Sequence, residues 1–355
     1  MKKIQLILFG IGKVGSTFIN QIIQAQEVFK QQNLEIEIPI ILNSSTAFVK
    51  DEGIGENWKA NFEDFGIPYQ VEEIIDYVNS KNWKNVVAID ATASADFVNN
   101  YTNLVENAFH IIAANKVANT LAYDEYAFFR EVLKEHKKHF LYETNVGAGL
   151  PVVETLKNLH LSGEKVTKIR GVFSGSLSYI FNTFSEENKN FSEVVALAES
   201  KGYTEPDPRV DLSGTDVARK LLILGRELQL SYNLEDVVVK NLVPAYLTET
   251  NSVTAFQEQI TDLDEEFQLL KSELKENEVL RYIGELDVED EVLEVKLVKA
   301  QKENPLGALQ GADSLFEIYT ESYGTQPLVI QGAGAGAAVT ARGLVSDVIK
   351  LAERI

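Results

Sequence analysis

The sequence predicts an α/β fold, a parallel sheet flanked by helices, followed by an α+β region. Three observations carry that expectation. Short apolar runs alternate with helical apolar spacing through residues 1–150. A glycine hexapeptide stands directly after the first of those runs. From Pro151 onward helices dominate, and alternating runs then return towards the C-terminal end. Strand–helix alternation of this length argues for βαβ units and a parallel sheet. At 355 residues the chain exceeds one ordinary core, so two domains, or three, are expected.

Taken in order, residues 4–9, 36–42, 86–90, 110–113 and 140–142 read as strands. Residues 14–30, 71–79, 97–107 and 124–136 carry helical spacing between them. The stretch 51–61, with Gly53, Gly55 and Trp58, reads as a loop leading to a short helix. Helices are expected from residue 182 to 275, including a long segment over 212–228. The runs 279–286, 293–299, 315–320 and 328–331 read as an antiparallel sheet. The glycines 332, 334 and 336 then introduce a last helix over 339–352. The charged run 258–278 reads as a solvated helix face.

Composition removes several functions. Acidic side chains number 53 against 33 basic ones, a net charge of −20, which repels nucleic acid and anionic membrane. Cysteine is absent, so disulfides, thiolate nucleophiles and Cys-based zinc sites are excluded. Four histidines (His110, His136, His139 and His160) are too few for a His-rich metal site. Lys2-Lys3 and the apolar run behind them mimic a signal peptide, but the run meets Gly10 too early. No apolar stretch approaches the roughly 20 residues of a bilayer span, and a soluble cytoplasmic protein is expected.

Gly10-Ile11-Gly12-Lys13-Val14-Gly15 is a complete G-x-G-x-x-G opening a helix. The first glycine permits a tight turn and the second lets a pyrophosphate approach the backbone. The third packs helix on strand, and free N–H groups at the helix end face the phosphates. Within a βαβ unit this predicts a Rossmann-type dinucleotide site. A Walker-type loop fails, because Ser16 stands where its lysine belongs. After the second strand Asn43-Ser44-Ser45 replaces the usual ribose-binding acid, leaving NAD or NADP open.

Residues 202–220 carry the candidate chemistry. Pro206 and Pro208 stiffen a loop presenting Glu205, Asp207 and Asp211, a set suited to an ammonium group. Ser213 is placed to cap the next helix, whose buried stripe is Val217, Leu221, Leu224 and Leu228. Asp216 and Lys220 stand at i and i+4 beside that stripe. A lysine partly desolvated next to a carboxylate exchanges protons; the same spacing also suits a plain surface ion pair. Lys116 follows the 110–113 strand, at the carboxyl end where open α/β sheets bind ligands; a solvated loop lysine is the alternative. Between the two halves, Glu143 with the carbonyls of the glycine-rich 144–151 loop would suit a hard cation.

The runs 10–15, 114–116, 145–151, 174–181, 202–220 and 332–340 together resemble homoserine dehydrogenase over essentially the whole chain. The resemblance implies a nucleotide-binding domain over 1–150, completed by a C-terminal helix over 337–355. It implies a catalytic, substrate-binding region over 151–278 and antiparallel dimerisation strands over 279–336. It makes Lys220 the proton-transfer residue, with Asp216 orienting it. Substrate binding is implied for Glu205, Lys116 and Asp211, Lys116 also bridging to the cofactor. Cofactor contacts are implied at Gly10, Gly12, Lys13, Val14, Gly15, Asn43, Thr92 and Gly336. Glu143 with the carbonyls of Val146, Ala148 and Leu150 resembles the family's sodium site. The match departs at Ser45, where NADP-preferring bifunctional relatives carry arginine.

The implied reaction is reversible NAD(P)H-dependent reduction of L-aspartate 4-semialdehyde to L-homoserine, in threonine, methionine and isoleucine biosynthesis. A homodimer is expected, with neither nucleic acid nor membrane as partner. The match stops at residue 355, from which threonine is expected to inhibit weakly or not at all. Two other classes share the glycine loop: another amino-acid oxidoreductase, which has no need of the 205–220 constellation, and a nucleotide sensor without turnover.

Overall fold

Strand β1 (Lys2–Phe9) is buried from Ile4 onward, the near-continuous apolar run that a central parallel strand requires. Helix α1 (Lys13–Gln24) follows, and the helical spacing expected to run on to residue 30 breaks at Ala25 before a second helix, Gln26–Gln31. Further strands are β2 (Leu34–Leu42), β3 (Thr46–Val49), β4 (Ile67–Pro68), β5 (Val86–Asp90), β6 (His110–Ala113) and β7 (Phe140–Leu141). They form a seven-stranded sheet in the order β4-β3-β2-β1-β5-β6-β7. β2, β1, β5, β6 and β7 pair in parallel, as the sequence predicts. β3 and β4 add an antiparallel extension that the short runs 46–49 and 67–68 do not announce. Strand order reverses between β1 and β5, where ligands of open α/β sheets bind beyond the carboxyl ends.

The computed structural model describes residues 1–355, which divide into two units: 1–149 with 336–355, and 150–335. The first unit is closed by the C-terminal helix Ala337–Arg354, which packs against α1. Its Ala341, Leu344, Val348 and Leu351 share a core with Ile4, Leu6, Phe18 and Ile22. Each fully buried aliphatic side chain there contributes ~1.5–3 kcal/mol. The Lys2 ammonium donates to the carbonyls of Ala352 and Ile355, supplying positive charge where the helix dipole favours it.

The second unit is built on β8 (Val166–Val172), β9 (Val238–Val239), β10 (Glu278–Asp287), β11 (Val292–Gln301), β12 (Ser314–Thr320) and β13 (Leu328–Gly332). Their order is β13-β12-β8-β10-β11-β9. The expected sheet of residues 279–331 is therefore incomplete. Its centre is β8, drawn from before the helical stretch and antiparallel to both β10 and β12. β9 pairs in parallel with β11. One face receives α2 (Gly175–Glu186) and α4 (Thr215–Glu227), and α3 (Pro208–Leu212) packs against these two helices. A side chain at Gly284 would meet the Phe173 ring at 2.7 Å and Val217 at 3.2 Å, so the strand must be bare there. On the opposite face Arg170 stands level with Glu285 and Glu317 and bonds the latter at 2.6 Å. Lys296 joins Glu285 at 2.9 Å and Lys168 joins Asp287 at 2.8 Å. The charged run near residue 265 is half core, with Phe267 stacked on Phe191 at 3.7 Å.

Candidate active site

The glycine loop has the shape that a pyrophosphate cradle needs. Gly10 sits at φ +94, and a Cβ there would lie 2.9 Å from the Ala91 backbone and 3.0 Å from the Thr92 methyl. A Cβ at Gly15 would lie 1.9 Å from the Gly10 carbonyl oxygen, so helix and loop touch only because residue 15 is glycine. Above Gly12 there is nothing within 4 Å. The first backbone bond of α1 runs from Ser16 to Gly12, leaving the N–H groups of Lys13 and Val14 at the helix start for an anion. The loop, open at its second glycine and bearing these donors, fits a dinucleotide.

Polar side chains at the carboxyl ends of β5 and β6 organise the neighbouring loops. Asp90 is fully buried; one carboxylate oxygen accepts the Thr92 N–H at 2.8 Å and the other the Tyr101 hydroxyl at 2.7 Å. Burial pushes its pKa up, against the stabilising hydrogen bonds from Tyr101, Thr92 and Asn115. Asn115 donates to the Ser94 carbonyl at 2.8 Å and to the Thr92 hydroxyl at 3.4 Å, and its own carbonyl accepts the Val117 N–H at 3.0 Å. Half-buried Lys116 stands in the turn so formed. The sequence drew attention to Thr92 and Lys116 and passed over Asp90 and Asn115. Their signal was a polar residue ending an otherwise apolar strand, and one just beyond it.

Asn43 also has a structural use in its own turn. Its side-chain oxygen accepts the N–H groups of Ser45 at 2.9 Å and Thr46 at 2.7 Å, and its backbone carbonyl accepts the Tyr69 hydroxyl at 2.9 Å. It staples the β2–β3 turn and leaves Ser44 and Ser45 exposed. Lys50 lies at the far end of this hairpin, its N–H on the Pro39 carbonyl. Gly336, at φ +109, begins the C-terminal helix and accepts the Thr340 N–H at 3.0 Å.

In the 143–149 loop the Glu143 carboxylate is buried and lies 3.4 Å from the Lys350 ammonium, while its N–H donates to Asp347 at 3.0 Å. Gly147 and Ala148 both take left-handed backbone, and bare Gly343 lets the C-terminal helix approach the Ala148 carbonyl. A buried carboxylate in a tightly turned loop suits a hard cation, although Lys350 already balances part of its charge. Val146 is buried in the same loop, whereas Leu150 opens the second unit.

In the second unit α4 presents Lys220 and Asp216 one turn apart. The Lys220 ammonium donates to Asp216 at 2.8 Å and to the Phe173 carbonyl at 2.7 Å. The lysine is only 8% exposed, while the Asp216 side chain is 46% exposed, so the pair is not a plain surface ion pair. The anchoring carbonyl belongs to the residue just after β8, and a backbone acceptor cannot be found from side-chain patterns. Val217, Leu221, Leu224 and Leu228 are buried as the stripe predicts. Gly214 at φ +74, rather than Ser213, occupies the helix cap, pressed against Tyr282; Ser213 instead takes the Thr215 N–H through its hydroxyl.

The acidic loop divides its labour. Asp211 accepts the Ser176 hydroxyl at 2.7 Å and the Glu205 N–H at 2.8 Å, so it shapes the loop that carries Glu205. Burial pushes the Asp211 pKa up. Asp207 binds Arg209 at 2.7 Å and caps α3, which takes it out of the set available to an ammonium group. The Glu205 side chain remains exposed.

Similarity to known proteins points to one family. A family profile described as homoserine dehydrogenase matches residues 151–349, and one described as homoserine dehydrogenase, NAD binding domain, matches residues 10–143. The chain is 36% identical to homoserine dehydrogenase of Saccharomyces cerevisiae, over 100% of this chain and 99% of that protein. It is 39% identical to bifunctional aspartokinase/homoserine dehydrogenase 1, chloroplastic, of Arabidopsis thaliana, over 97% of this chain and 38% of that protein. It thus spans about two fifths of the length of the bifunctional relatives. A crystal structure of a Candida auris protein of unknown function superposes with a TM-score of 0.92 at 34% identity, covering 100% of this chain and 99% of that one. No helix of the chain is long and apolar enough to cross a membrane. With both profiles in place and a full-length relative above a third identity, the chain belongs to the homoserine dehydrogenase family.

Proposed function

We propose that this chain reduces L-aspartate 4-semialdehyde to L-homoserine reversibly, with NADH or NADPH as reductant. The observation that carries the reading is the buried Lys220 ammonium, held by Asp216 and the Phe173 carbonyl. Two of its three N–H groups are spent on these anchors, and the third is left for a substrate oxygen. A bound nicotinamide dinucleotide supplies the hydride that the aldehyde carbon accepts. Lys220 gives its proton to the aldehyde oxygen as that carbon becomes an alcohol, and Asp216 holds the ammonium in line. Glu205 takes the substrate's amino group, on a loop shaped by Asp211. Lys116 answers the substrate's negative charge and the cofactor. A bound dinucleotide would be held with its pyrophosphate on Gly10, Gly12, Lys13, Val14 and Gly15, and Asn43, Thr92 and Gly336 would be further contacts.

The reading extends to sodium at Glu143, Val146, Ala148 and Leu150, to a cytoplasmic location, and to a homodimer. The dimer is supported by the second sheet, whose edge strands β13 and β9 each have one side unpaired. Light scattering tests it, and a monomeric mass over a wide concentration range would remove it. The activity is tested by mixing purified chain, reduced nucleotide and aspartate semialdehyde as sole acceptor. Nucleotide oxidation that requires the semialdehyde is the expected result. Its absence would leave a nucleotide-binding protein of another kind.

A further inference from the structure

Asn115 is 4% exposed, carries no charge and sits between two loops that leave adjacent parallel strands. Its amide nitrogen ties down the loop after β5, through the Ser94 carbonyl and the Thr92 hydroxyl. Its amide oxygen ties down the turn after β6, through the Val117 N–H, and so fixes the backbone from which Lys116 projects. Thr92 is braced a second time by Asp90, and the same loop presses on Gly10, where a single added methyl would collide. One side chain therefore joins the floor of the glycine loop to the lysine turn.

We propose that Asn115 is a positioning residue: it sets the 91–94 loop and Lys116 in register for the nucleotide, resting on the reading that this unit binds NAD(P). Only an amide serves. A carboxylate would keep the acceptor for Val117 but turn an oxygen towards the Ser94 carbonyl, with Asp90 close behind. An aliphatic side chain would leave the Ser94 carbonyl and the Val117 N–H without partners.

The test measures NADPH and NADH binding by calorimetry, without substrate, alongside the melting temperature of each variant. Asn115→Asp is expected to weaken nucleotide binding about tenfold or more, as the loss of a positioned hydrogen-bonding group implies. Tyr101→Phe serves as comparison, since it frees the outer oxygen of Asp90 and leaves the Thr92 contact in place. It should lower the melting temperature while nucleotide affinity stays within about twofold, a change below ~0.5 kcal/mol. Unchanged affinity in Asn115→Asp would overturn the proposal. So would affinity losses in both variants that track their melting temperatures, because Asn115 would then be acting through stability alone. Wild-type chain that binds nucleotide but does not oxidise it with semialdehyde would instead remove the proposed reaction and leave this inference standing.

Discussion

Replacing Lys220 by methionine separates proton transfer from architecture. Methionine keeps an unbranched stem of similar length against the α4 stripe, so the packed volume changes little. What disappears is the charged donor to the Phe173 carbonyl and to Asp216. The carbonyl, at a residue only 1% exposed, loses that donor at a cost of ~1–3 kcal/mol. Asp216 is nearly half exposed and regains water, so its share is small. The variant should therefore fold, with a lowered melting temperature. Turnover should fall by a factor of ~10² to 10⁴, the usual worth of a positioned acid or base. Nucleotide affinity should be unaffected, since the glycine loop belongs to the other unit. Stopped-flow nucleotide oxidation, calorimetry and thermal melts read the three quantities. Turnover within about tenfold of wild type in a folded variant would refute the proton-transfer role.

Ser45→Arg should shift catalytic efficiency towards NADP, because the exposed turn then gains a bidentate phosphate partner. The wild type should discriminate by less than about 3 kcal/mol, and a strong wild-type preference for NADP would point to a cation reaching the turn from elsewhere. Gly15→Ala should abolish nucleotide binding in calorimetry, since its methyl would lie 1.9 Å from the Gly10 carbonyl oxygen. Burial, with Lys138 and His139 nearby, drives the His110 pKa from the ordinary 6.5 to about 3. Between those values the unfolded chain holds the proton and the folded chain does not. Stability should therefore fall on acidification by up to about 1.4 kcal/mol per pH unit, and His110→Gln should flatten that slope in melts followed from pH 7 downward.

The nucleotide unit was legible because its signals are periodic and local. Central strands buried on both faces write themselves as apolar runs, and the glycine hexapeptide needs only its own backbone to do its work. β8 escaped because Lys168 and Arg170 interrupt it, and those charges make sense only beside Asp287 and Glu317 from far along the chain. β3 and β4 escaped because four and two residues are too few for a period. Of the 202–220 constellation, the i, i+4 pair was visible. Its depth was not, because Lys220 is anchored by the backbone carbonyl of Phe173, just beyond β8 and far away in sequence. Likewise the turn-stapling use of the Asn43 side-chain oxygen was hidden, because its partners are backbone N–H groups rather than side chains.

The helix Ala337–Arg354 lies in the core that holds β1, and Lys2 anchors the far end of that helix. Synthesis makes β1 before its covering helix, with the whole second unit in between. Domains generally fold as units while the chain emerges, but here the unit that begins the chain lacks a wall until residue 352 is available. Residues 150–335 are complete before that and have no such wait. The order of folding is thus inverted with respect to the order of synthesis. Ile4, Leu6 and Leu8, which end fully buried, spend the interval against an unfinished core. Nascent chains arrested short of the last helix should therefore hold a protease-resistant second unit beside a first unit that is still cut.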